Sequence, residues 1–206
     1  MTKTPSKQFN TCRKLVFDDA LKARLAAEMA TPLLGGELTK IKGHYPVGIF
    51  LRRSLTRYLS LVLSRLLDKL EEGRTGITAS IASLLEMAHN ERILSGIKIQ
   101  RFVSDFDKIK THAAQGQYDL VSALRGLRNI HLAHKLIPWE NPSNDVLGHD
   151  LIEFAEAIFK FVTRLNQAIA TTTSNSLSDA RKAANDFQRN VDTFFEALRD
   201  DPPDKQ

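Results

Sequence analysis

The chain has 206 residues, 42% apolar and 26% charged, enough for one packed domain and too ordered in composition for a disordered chain. Ten Gly and seven Pro supply too few turns for an all-β fold of this size, and a single cysteine, Cys12, excludes an internal disulfide. The net charge of +5 is uneven: residues 1–75 carry 14 Lys/Arg against 7 Asp/Glu, a basic region able to attract a polyanion or simply a solvated basic surface.

In chain order, Met1 to Asn10 has no apolar core, so no secretory signal peptide is expected. Residues 1–16 are expected to be a flexible N-terminus, frayed over 1–14. A first helix is expected over Phe17 to Met29, with Asp18 and Asp19 in its first turn, where carboxylates favour the helix dipole. Pro32 and the Gly35-Gly36 pair are expected to break it. A long, central helix follows over Val47 to Glu71, with Leu51, Leu55, Tyr58, Leu59, Val62, Leu66 and Leu70 on one stripe. Arg53 and Arg57 lie four apart on another face. The arginines interrupt the apolar run too often for a membrane span.

Ile77, Ile81, Leu84, Leu85 and Ala88 mark a shorter helix. Asn90-Glu91 reads as the cap of the next, which runs to about Ala114 with Ile99, Phe102, Phe106 and Ile109 inward. Another spans Gln117 to Ile137 and stops at Pro138; a loop holding the one tryptophan, Trp139, leads to a helix over Asp150 to Ala170. After a linker at 171–175, Leu177, Ala180, Ala184, Phe187, Val191, Phe194 and Leu198 form a narrow seam on a C-terminal amphipathic helix. That helix, within 171–200, would pack on the domain at 17–170 or on a second copy, and 201–206 would be a flexible tail. The fold class expected is all-α, a bundle of about six to seven helices.

The densest chemistry lies at Arg125-Gly126-Leu127-Arg128-Asn129-Ile130-His131-Leu132-Ala133-His134-Lys135. At about 100° per residue, Arg128, His131 and His134 form a sloping arc on a helix, which Lys135 extends. A histidine at the edge of that helix's apolar face has two readings: a core residue with its hydrogen bonds met, or a group held for proton transfer. Imidazole exchanges protons near neutral pH, and guanidinium holds phosphate and offsets the charge of a five-coordinate transition state. The cluster contains no carboxylate, which disfavours metal-dependent cleavage by paired acids. RNA supplies its own nucleophile, the 2′-hydroxyl, so a base and a cation suffice. Arg125 and Lys135, with Arg53 and Arg57, are the candidates for holding RNA.

Elsewhere, Ser54, Thr56 and Ser60 have no base or glycine turn beside them, and His44, His89, His112 and His149 lack metal-ligand spacing. There is no phosphate-cradling glycine loop. No cofactor or metal is expected.

The stretch Arg128-Asn129-Ile130-His131-Leu132-Ala133-His134 resembles the HEPN superfamily signature, an arginine, a polar residue and then a histidine after four to six intervening positions; here five intervene. Its first histidine and Ala-His ending resemble the abortive-infection U (AbiU) type. Ser64-Arg65-Leu66-Leu67-Asp68 and Ser80-Ile81-Ala82-Ser83-Leu84-Leu85 are similar to that subgroup too, so the resemblance covers roughly residues 45–170. It implies an up-and-down bundle, a homodimer, and a metal-independent endoribonuclease that leaves a 2′,3′-cyclic phosphate at a site shared by two protomers. It implies Arg128 as the transition-state stabiliser, His134 in proton transfer, Asn129 as the group that positions them and His131 as an accessory. It further implies a toxin of a toxin-antitoxin or phage-defence system, with a nucleotidyltransferase-like antitoxin; the single cysteine separately fits a reduced, cytoplasmic home. The alternative is a non-catalytic helical module that binds RNA or protein.

Overall fold

The structure, a computed structural model, describes residues 4–34, 45–68, 79–114, 119–124, 144–173 and Arg189. Every regular element among them is helical, and the protein is an all-α bundle. In chain order these are α1 (Lys7–Leu34), α2 (Tyr45–Leu66), α3 (Ile81–Asn90), α4 (Gly96–Ala114), a short helical stretch at 120–124 and α5 (Asn144–Thr173).

The hub is α1. Its contacts with α5 and α2 are the two most extensive helix pairings. Phe9, Cys12, Val16, Ala20, Ala23, Ala27 and Ala30 are buried at steps of three and four, so one stripe of α1 faces the core. The alanines let neighbouring backbones approach, which is how one helix packs closely against two others. The expected order of residues 1–16 therefore needs correcting. The helix begins at Lys7, and Phe9 is fully buried because it completes the stripe one turn before Cys12 and two before Val16. Nor does Pro32 end the helix. It sits in the last turn, where a missing N–H forfeits one backbone bond, while Ala30 and Leu33 on either side are buried and offset that loss.

The start of α1 is fixed from another part of the chain. Ser6 caps the helix, its Oγ accepting from the Phe9 N–H at 3.0 Å. The Ser6 N–H in turn donates to the Glu91 carboxylate at 2.9 Å. Glu91 is thus not the opening residue of the next helix, as its position after Asn90 suggests. Asn90 ends α3, Glu91 is its C-cap, and α4 starts at Gly96. The turn between them is a Schellman motif: Arg92 N–H donates to His89 O at 2.9 Å and Ile93 N–H to Ala88 O at 3.0 Å. Arg92 holds a left-handed φ of 53° to make it.

Helix α2 buries Leu59, Val62, Leu63 and Leu66 in its second half. Tyr58, expected on the same stripe, is 43% exposed. Helix α3 is capped by Ser80, whose Oγ accepts from Ser83 N–H at 3.2 Å. Helix α4 lays Phe102 and Phe106 on Phe161 of α5, with ring centroids 5.9 and 5.4 Å apart. Helix α5 starts earlier than the expected Asp150. It is buried over a wide arc, including Leu151, Phe154, Ile158, Phe161 and Leu165, because it packs on α1, α2 and α4. No described helix is long and apolar enough to cross a membrane.

Candidate functional site

Of the eight residues expected to act on RNA, the structure describes two, Arg53 and Arg57. The other six, Arg125, Arg128, Asn129, His131, His134 and Lys135, lie outside the described residues, as does the seam from Leu177 to Leu198. Arg53 and Arg57 are exposed on the middle turns of α2. That 22-residue helix carries four arginines and no Asp or Glu. One of the four, Arg65, is committed to the buried Asp19 of α1. The other three, Arg52, Arg53 and Arg57, precede the run of buried apolar side chains that begins at Leu59.

The last described residue before the cluster is Leu124, and it is fully buried. Its backbone oxygen accepts a hydrogen bond from Ser64 Oγ of α2 at 2.9 Å. At about 100° per residue, Arg53, Arg57, Ser60 and Ser64 fall within roughly 60° of one another around α2. They make one line that starts as two exposed arginines and ends as two buried hydroxyls. Ser60 Oγ donates back to Thr56 O at 2.8 Å, within its own helix, whereas Ser64 reaches across to the segment that leads to Arg125. α2 is therefore both the basic surface and the anchor of the strand of chain entering the cluster.

A second polar constellation lies between α1 and α5. Arg13 is buried, and its Nε donates to Asn166 Oδ1, also buried; Arg13 Nη2 lies 3.5 Å from the Asn166 backbone oxygen. Burial lowers the Arg13 pKa from its ordinary value. The two residues lie 153 positions apart, and nothing in their local sequence pairs them. The pair ties the hub helix to α5 and holds no nucleophile or proton donor suited to catalysis. Cys12, beside Arg13, is 2% exposed, and burial pushes its thiol up to about 11, so it is an unreactive core group at neutral pH.

His89, His112 and His149 are exposed. Among the described residues no three His, Cys, Asp or Glu side chains come together as metal ligands would. Among the described residues, an open concavity of about 650 Å³ runs along α4 beside Val103, Asp107, Lys108 and His112. It mixes both signs of charge and lies on a helix that packs chiefly on α3 and α5, away from the basic line of α2.

Comparison with known proteins finds no matching family model, no matching curated protein and no matching solved structure. The functional reading therefore stands on the residues themselves.

Proposed function

We propose that this chain is a metal-independent endoribonuclease of HEPN type, acting as a cytoplasmic homodimer in a toxin-antitoxin or phage-defence setting. The single observation that carries the reading is the Arg128–Asn129–His131–His134 run, with Arg125 and Lys135 flanking it and no carboxylate among them. In that reading His134 takes the proton of an RNA 2′-hydroxyl. The freed oxygen attacks the adjacent phosphorus, the bond to the 5′-oxygen breaks, and that oxygen leaves with a proton returned by an imidazole of the site. Products are a 2′,3′-cyclic phosphate and a 5′-hydroxyl. Arg128 offsets the charge that builds on the phosphoryl oxygens, Asn129 orients the pair, and His131 is the accessory proton carrier. On an ideal helix Arg128 and His134 would stand about 120° apart, a separation that a site completed by a second copy would resolve. Arg53 and Arg57, with Arg125 and Lys135, hold the substrate backbone. A nucleotidyltransferase-like protein is the partner expected to silence it.

The second reading, a non-catalytic RNA-binding module, is favoured by the acid-free, arginine-bearing α2, which needs no chemistry to attract RNA. Expression of the wild type, Arg128→Ala and His134→Ala separates the two. Growth arrest with RNA decay in the wild type alone supports the nuclease. Equal harmlessness of all three, with RNA bound but uncut by the purified chain, supports the module.

A further inference from the structure

We draw no further inference here: the strongest candidate, the open concavity along α4 beside Val103, Asp107, Lys108 and His112, is lined among the described residues by a single side of that helix, and nothing in the structure shows what covers it.

Discussion

The Ser64 hydroxyl donates to the backbone oxygen of Leu124 at 2.9 Å, joining the basic helix to the stretch of chain that enters the Arg/His cluster. Both groups are buried, so the bond has no water to replace it. Ser64→Ala removes a buried hydrogen bond and is expected to lower stability by about 0.5–1.5 kcal/mol. Ser60→Ala is the control: its hydroxyl is equally buried but bonds only to Thr56 of its own helix, which already has a helical carbonyl bond. Urea unfolding of the two variants should separate them, Ser64→Ala having the lower midpoint at an unchanged slope. If Ser64→Ala also lowers RNA cleavage more than Ser60→Ala does, the anchor serves the site as well as the core.

The Asp19–Arg65 pair is lopsided. The aspartate side chain is 6% exposed and the arginine 52%. Removing the arginine strands a carboxylate inside the bundle, whereas removing the aspartate returns the arginine to water. Arg65→Ala is expected to cost about 1–3 kcal/mol, less than for a fully buried pair because solvent screens the arginine. Asp19→Ala should cost less than Arg65→Ala, and the double variant should recover part of the Arg65→Ala loss. Thermal or urea unfolding of the three proteins checks that order.

Arg92 occupies the left-handed position that closes α3, a place where a Cβ is strained and glycine is not. Its N–H bond to His89 is a backbone bond and survives substitution. Arg92→Gly should therefore stabilise the protein, by about 0.5–1 kcal/mol after allowing for the added freedom of the unfolded glycine. Arg92→Val should destabilise it, since a β-branched residue tolerates that conformation least. A rise in melting temperature for the first and a fall for the second are the expected readings.

Cys12 gives the pH dependence. Its folded thiol titrates at about 11 against an ordinary 9.0, because burial disfavours the thiolate. A folded value raised above the unfolded one means stability that is complete below about pH 9 and is lost as pH rises toward 11. The shift corresponds to a loss of about 2–3 kcal/mol across that window. Cys12→Ala should be less stable at pH 7, through the small cavity, yet lose less than the parent between pH 9 and 11. Native protein at pH 7 should react with a thiol reagent only as fast as it opens.

The sequence carries much of the fold and less of its hierarchy. The periodicity of α2 and α5 is plain because leucine, isoleucine and phenylalanine mark it. The role of α1 is not, because its buried stripe is largely alanine, which adds little to any hydrophobic pattern although Ala20 and Ala23 are fully buried. Tyr58 sits at a core-like register but is 43% exposed, while the fully buried apolar side chains of α2 begin at Leu59. Asn90-Glu91 has the look of a helix start, yet the Glu91 carboxylate is drawn to Ser6, 85 positions away. The Ser64–Leu124 and Arg13–Asn166 contacts are long-range in the same sense and have no local signature. Of the site, the residue types and spacing at 125–135 are legible, and Arg53 and Arg57, expected on a face other than the apolar stripe, are exposed.

The central claim is that His134 and Arg128 cut RNA without a metal. The most direct measurement is cleavage of a 5′-labelled single-stranded RNA by the purified wild type, Arg128→Ala and His134→Ala in excess EDTA, with product ends identified by mass spectrometry. The account predicts 2′,3′-cyclic phosphate ends from the wild type and at least a 100-fold slower reaction from each variant. Cleavage that persists in both variants, or that leaves only 3′-hydroxyl ends, would contradict it.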